Sequence, residues 1–243
     1  KSETALRKIV GAGEIKISDV ILEIGPGKGA LTEKLLQSTA SQVVAIEKDR
    51  ELFEFLKNKF SKEIRSKKLI LLNEDILGFN MGEEKYKITA NIPYNITGAI
   101  LKKFLTAKNQ PGLMVLMVQH EVARRIMATD KKESILSISV RAYGEPKLLM
   151  KVGARYFSPA PKVDSAILVI KNISRKLFKE NNVNEAKFWE IVKAGFAHKR
   201  KKLSSNLKNL SKKDDFIDLG GLENKRAEDL ALSGWILLAQ NNQ

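Results

Sequence analysis

The sequence predicts an α/β fold: a sheet with helices on both faces, followed by a small all-helical carboxyl-terminal domain. Three observations lead there. Over residues 1–172, short apolar runs alternate with amphipathic stretches, as βα repeats do. The first run, Val20–Ile24, ends in Gly25-Pro26-Gly27-Lys28-Gly29, a glycine turn at the start of a helix. Beyond a polar linker around Asn172–Arg175 the strand pattern stops, which gives a second domain over residues 173–243.

The elements follow in chain order. Val20–Ile24, Val43–Ile46, Leu69–Leu72, Ile88–Ala90, Leu113–Gln119 and Ala166–Ile170 read as strands. Ala30–Leu36 places Leu31, Leu35 and Leu36 on one helical face, and Arg50–Phe60 does so with Leu52, Phe53 and Leu56. His120–Ala128 reads as a helix burying Val122, Ile126 and Met127. In the tail, Glu185–Phe196 turns Phe188, Trp189, Val192 and Phe196 inward. Leu203, Leu207 and Leu210 mark a further helix, and Ala227–Leu238 a last one.

Composition narrows the function. With 43% hydrophobic residues in 243, a sizeable core is expected. The absence of cysteine excludes disulfides and thiolate metal sites and fits a reducing, cytoplasmic setting. With only His120 and His198 as imidazoles, no metal site is expected. No apolar run approaches the ~18 residues of a membrane-spanning helix, and no signal-peptide pattern is seen. The chain opens at Lys1 rather than methionine, so its natural amino terminus is expected to lie upstream. A net charge of +15 points to a polyanion, nucleic acid first, with a lysine-rich background composition as the alternative.

The glycine loop is a cofactor cradle. Its glycines allow positive φ and close approach to a ligand, and the next helix aims free N–H groups there. Gly25-x-Gly27-x-x-Ala30 fits the dinucleotide fingerprint, and Glu47 supplies the ribose-binding acid about 20 residues on. NAD and S-adenosylmethionine (SAM) sites share these features. Glu23 favours SAM, whose cationic end a carboxylate can meet, whereas NAD presents a pyrophosphate to the loop. Asp75, after the third strand, can accept from the cofactor's adenine amine.

Asn91-Ile92-Pro93-Tyr94 ends the fourth strand, at the edge where open α/β sheets bind ligands. An adenine amine is a poor nucleophile because its lone pair is delocalised into the ring. Acceptors on its two N–H groups, the Asn91 side-chain oxygen and a backbone carbonyl such as that of Ile92, turn the nitrogen toward sp³. Tyr94 offers a stacking face. Phe157, opening Phe157-Ser158-Pro159-Ala160-Pro161-Lys162-Val163-Asp164-Ser165, closes the opposite face of an extruded base. Lys199, Arg200, Lys201 and Lys202, with Arg124 and Arg125, are candidate phosphate contacts.

These motifs together resemble the KsgA/RsmA-type small-subunit rRNA adenine dimethyltransferases. The likeness is carried by Leu22–Gly27, Ile46–Asp49, Glu74-Asp75, Asn91–Ile96, Gln119–Arg125, Phe157–Ala166, Ala194–Leu203 and Arg226–Leu230. The resemblance implies a Rossmann-like SAM-dependent methyltransferase sheet and a helical rRNA- and ribosome-binding domain. It implies N6,N6-dimethylation of two adjacent adenines near the 3′ end of small-subunit rRNA, on an immature small ribosomal subunit, by a monomer. It places the cofactor on Gly25, Gly27, Glu47, Asp75 and Asn91, and the target adenine between Tyr94 and Phe157. One departure stands out: Lys1–Val10 lacks the family's Gly-Gln-x-Phe-Leu segment, which lines both sites. The alternatives are an Erm-type large-subunit rRNA methyltransferase, a mitochondrial transcription-factor relative, an assembly factor without catalysis, and a Rossmann dehydrogenase.

Overall fold

The computed structural model describes residues 3–157, 161–210 and 221–242. Contacts divide the chain into two compact units. One comprises Lys1–Ala123 with Glu145–Ile173, the other Arg124–Gly144 with Ser174–Gln243.

The first unit is built on a seven-stranded sheet in the order β3-β2-β1-β4-β5-β7-β6. Its strands are β1 (Val20–Ile24), β2 (Gln42–Ile46), β3 (Leu69–Leu72), β4 (Tyr86–Asn91), β5 (Met114–Gln119), β6 (Glu145–Val152) and β7 (Ser165–Lys171). β1 to β5 run parallel, whereas β7 is antiparallel to both β5 and β6. From β1 the chain steps outward to β3, then returns to the other side of β1 as β4. The strand order therefore reverses between β1 and β4, and ligands of open α/β sheets settle at the carboxyl ends of such a pair.

Helices α1 (Glu3–Ala12), α2 (Ala30–Leu36) and α3 (Arg50–Lys59) cover one face of the sheet. Ala5, Ile9, Leu31, Leu35 and Leu56 join Ile21, Val43, Val115, Met117 and Ile167 in one core there. The short α4 (Ser61–Arg65) follows α3. On the opposite face, α5 (Thr97–Leu105) buries Ile100, Leu101 and Phe104, and Phe104 meets Tyr86 edge-on at 6.4 Å. A sheet covered on both faces explains why its parallel strands read as unbroken apolar runs.

Several expectations need correction. The sequence reading gave no strand at β6, whose Pro146, lysines and register shift between Leu148 and Met150 break the apolar run. These are marks of an edge strand, which charge, proline and bulges keep from pairing further. It also assigned no element to Glu3–Ala12, which is α1. In α3 only Leu56 is fully buried; Leu52 and Phe53 are half-covered. In α6 (His120–Met127) the buried residues are Ala123 and Ile126, with Val122 and Met127 half-covered.

The second unit contains α7 (Ile135–Arg141), α8 (Lys176–Glu180), α9 (Glu185–Gly195), α10 (Leu203–Asn206) and α11 (Leu232–Gln240). Arg124–Gly144, read from sequence as part of the sheet domain, clusters here. The Tyr143 ring stacks on Trp189 at 6.2 Å, and its hydroxyl donates to Glu185 while accepting from Trp189 Nε1. Burial, and then the Glu185 acceptor, hold the Tyr143 phenol far above its ordinary pKa. Phe196 stacks on the buried Trp235 at 5.3 Å, and a Cβ at Gly195 would lie 2.4 Å from that indole. Only glycine permits this approach of α9 to α11. The expected helix over Ala227–Leu238 is instead a 3₁₀ turn, Ala227–Asp229, followed by α11. The expected helix through Leu210 is the single turn α10, with Leu203 and Leu207 buried.

Candidate active site

The loop after β1 is held by its neighbour strand. Gly25 N–H donates to Ile46 O at 3.0 Å, and Gly25 and Gly27 have φ of 63° and 60°. Glu47, 6% exposed at the end of β2, accepts from Gly27 N–H through Oε2 and from Asp49 N–H through Oε1, both at 3.0 Å. Asn73 Nδ2 donates to the Glu47 and Lys48 carbonyls at 2.8 and 3.2 Å, which ties β3 to the same turn. Glu47 is thus a structural strut as well as the candidate ribose acid. Each carboxylate oxygen retains a second lone pair for a ligand hydroxyl.

Asp75 stands past β3, 43% exposed by side chain. Its Oδ1 accepts from Leu77 N–H and its Oδ2 from Lys48 Nζ, both at 2.9 Å. The Lys48 hydrogen bond, and then the Leu77 N–H, hold its carboxyl below the usual aspartate range.

β4 delivers Asn91 directly opposite Met117 of β5. A Cβ at Gly25 would lie 3.7 Å from Pro93 Cδ, so the glycine loop and the Asn91–Tyr94 loop touch. Among the described residues the Asn91 side-chain amide has no hydrogen-bond partner. Pro93 has φ −60° and leads into a 3₁₀ turn, Tyr94–Ile96. Tyr94 Oη lies 2.5 Å from Oγ of the buried Ser165, which fixes the ring.

Glu23, Gly25, Asn91 and Phe157 line one cavity of about 40 Å³ with Ala5, Leu6 and Ile9 of α1. Glu23 is buried there at 1% exposure. At this volume the cavity is smaller than the roughly 300–1,000 Å³ of cofactor pockets and can hold only part of a cofactor. Tyr94 is not among its lining residues, whereas Tyr156 is. Phe157 packs half-buried against the sheet core, at the end of a turn pinned by Asp164 Oδ1, which accepts from Ala154 N–H at 2.9 Å. Residues 158–160 of that motif, and Lys1 and Ser2 of the amino-terminal segment, lie outside the described residues.

The residues present fit SAM. A Cβ at Gly27 would meet nothing within 4 Å, so the loop faces open space beside Glu47. Acids at the ends of β2 and β3 are ranged along one edge, with Glu23 at the cavity.

The basic candidates lie in the second unit and are exposed. Arg124 Nε donates to Thr129 Oγ1 at 3.3 Å. Lys199 and Arg200 sit in the turn after α9, and Lys201 N–H closes it on His198 O. Lys202 is partly committed: its Nζ donates to Asn224 Oδ1 at 3.1 Å, and it bridges Arg226 through the backbone. Sequence reasoning missed the roles of Ser165 and Lys48 and the α1 wall. Ser165 stood inside the quoted Phe157–Ser165 block, but nothing in one sequence joins it to Tyr94.

The chain matches the family model described as Ribosomal RNA adenine dimethylase over residues 1–235. It is 39% identical over 245 residues to the ribosomal RNA small subunit methyltransferase A of Dehalococcoides mccartyi, across 96% of this chain and 82% of that one. The protein of the same name from Fusobacterium nucleatum is 37% identical, with 96% and 90% covered. A solved dimethyladenosine transferase from Plasmodium falciparum has a TM-score of 0.83 at 27% identity, over 98% and 94% of the two chains. The 23S rRNA methyltransferase ErmE, at 24% identity and a TM-score of 0.79 over 100% and 98%, shares the fold.

Proposed function

Because this chain belongs to the ribosomal RNA adenine dimethylase family, we propose that it uses SAM to convert two adjacent adenines near the 3′ end of small-subunit rRNA to N6,N6-dimethyladenine. The observation that carries this reading is the unspent Asn91 amide beside the glycine loop, at the sheet's switch point. The small-subunit reading stands above the Erm-type one because relatives at 37–39% identity, matched over 82–90% of their length, bear the small-subunit name. The likeness to ErmE, at 24% identity, is one of fold alone.

In this reading Glu47 holds the ribose hydroxyls, Asp75 the adenine amine, and Glu23, Gly25 and Gly27 the remainder of the cofactor. Bound SAM supplies an electrophilic methyl group. Asn91 Oδ1 and the Ile92 carbonyl accept the two N–H groups of the target amine and aim its lone pair. Tyr94 and Phe157 stack the base. Positioning accounts for most of the rate, and the methylated amine releases its proton to water without a strong base.

Arg124, Arg125 and Lys199–Lys202 contact rRNA phosphates. They read backbone rather than sequence, so the two adenines are selected by docking on an immature small subunit. The protein acts as a monomer in the cytoplasm, where that substrate is assembled. Among the described residues no helix is long and apolar enough to cross a membrane.

The test incubates the full-length protein with methyl-labelled SAM and small subunits lacking the modification, then maps the labelled bases. Label on two neighbouring adenines near the 3′ end is expected. Label confined to large-subunit RNA, or none despite SAM binding, overturns the reading.

A further inference from the structure

A second concave surface lies in the first unit, away from the candidate active site. It is a groove of about 660 Å³ between α1 and the open face of the β6–β7 hairpin. Arg7 and Lys8 project from the helix wall, and Lys147, Leu149 and Lys171 from the sheet wall. The helical period explains the division. Ala5 and Ile9 point to the core and the cavity, Arg7 falls on the opposite side, and Lys8 lies on the flank between them. On the sheet, Leu149 follows Lys147 in the alternation of β6 and is 39% exposed.

The charge is one-sided. Four cations line the groove against one acid, Glu14, and that acid is already bound by Lys171. Arg7 is shared with Glu3 at 3.3 Å. Among the described residues Lys8 and Lys147 have no ion-pair partner, and they stand on opposing walls. Apolar surface between facing cations suits the sugars and phosphates of a single RNA strand.

We propose that this groove holds the backbone of the rRNA substrate next to the target adenines, as a phosphate-contact site separate from the basic residues of the second unit. The proposal rests on the rRNA reading above. Its position supports it: α1 lines the cavity through Ala5, Leu6 and Ile9 and the groove through Arg7, Lys8 and Gly11. The same helix, about 10–12 Å across, therefore borders both, so RNA whose target base is at the candidate site has its backbone within a few nucleotides of the groove. The competing account is edge protection, since lysines on an outer strand discourage pairing with other sheets. That explains Lys147 but not Lys8, which is on a helix.

The experiment compares the parent with Lys8→Gln, Lys147→Gln and the double variant. Glutamine removes charge but keeps a long polar side chain on the edge. Binding to a protein-free small-subunit rRNA transcript is measured across salt concentrations, with SAM binding and methylation of immature subunits alongside. Each phosphate contact to single-stranded RNA contributes about 0.7 to the salt slope. The double variant should lower the slope by about 1.4 and raise KM for subunits, with kcat and SAM affinity unchanged. An unchanged slope and KM in the double variant overturn the proposal. If Lys147→Gln self-associates, Lys8→Gln alone decides: a slope drop of about 0.7 supports the groove, and none rejects it. Failure of the parent to methylate any subunit would instead refute the rRNA reading.

Discussion

The loop after β1 and the loop after β4 meet at Gly25 and Pro93 but are prepared in different ways. The first is held by backbone hydrogen bonds, with both Glu47 oxygens already accepting N–H groups. The second carries an Asn91 amide with no partner among the described residues, and its rigidity comes from Pro93 and from the Tyr94–Ser165 contact. In the proposed reading, one side is preorganised around a cofactor held throughout a turnover, and the other keeps hydrogen-bonding capacity for an amine whose geometry changes during reaction. The difference teaches where substitutions should register: in cofactor affinity on the first loop, in turnover on the second.

The strongest test of that division is Asn91→Ala. An acceptor that matters most as the amine rehybridises is lost mainly from kcat. Removal of one preorganised hydrogen-bonding group typically costs roughly 10²–10³-fold. Single-turnover methylation should fall by that order while SAM titration and thermal melting stay near parental values. Near-parental turnover would remove Asn91 from the chemistry and collapse the comparison.

Glu47→Ala should do the reverse. It removes the candidate ribose acceptor and leaves the Gly27 and Asp49 N–H groups without their shared partner. A loss of roughly 2–4 kcal/mol in SAM binding is expected, the range for hydrogen bonds to a charged group plus orphaned donors. Calorimetry on Glu47→Ala and Glu47→Gln separates the two contributions, because the amide still accepts from one N–H. If Glu47→Ala binds SAM like the parent, the first loop is not the cofactor side.

How much of this was legible differs between the same two loops. The glycine turn, the acid about 20 residues on and the Asn-Ile-Pro-Tyr turn are local patterns, and local patterns survive in sequence. Contacts between distant segments do not. Tyr94 meets Ser165 only because β7 folds back beside β5, an antiparallel return with no signature in either residue. β6 escapes notice for a physical reason: an edge strand need not be apolar, and this one has Lys147, Lys151 and a bulge where the central strands of this sheet are continuously apolar. The sequence places the final helix too early because Ala227 and Leu230 are apolar, although they belong to a 3₁₀ turn and the extended residue after it, where both are buried.

The Tyr94–Ser165 contact sharpens the second loop. Tyr94→Ala removes a stacking face worth about 1–3 kcal/mol. Tyr94→Phe keeps the face and removes only the hydroxyl contact. If Ser165 serves to fix the ring, Ser165→Ala and Tyr94→Phe should each lower turnover modestly, and the double variant should be no worse than either. Additive losses in this double-mutant cycle would show that Ser165 acts on something other than Tyr94.

The smallest effect belongs to Asp75, where the two modes of preparation overlap. The proposed reading puts it on the cofactor side, yet its Oδ2 is engaged by the exposed Lys48 rather than by backbone. The Lys48 hydrogen bond and then the Leu77 N–H lower its pKa in the folded protein. A depressed carboxyl contributes stability that is present above the unfolded pKa, about 3.9, and is lost as pH falls through the folded value. Across pH 5 to 8, roughly the range of maximal stability, Asp75 therefore stays ionised as an acceptor for an adenine amine, and SAM affinity should show no titration from it. Lys48→Ala should let the Asp75 pKa rise toward its ordinary value and free Oδ2, moving the acid limb of cofactor binding upward while leaving affinity at neutral pH within a few-fold. NMR titration of the Asp75 carboxyl alongside SAM binding reads both. If the acid limb does not move in Lys48→Ala, the ion pair is an incidental surface contact, and Asp75 is held by Leu77 N–H alone.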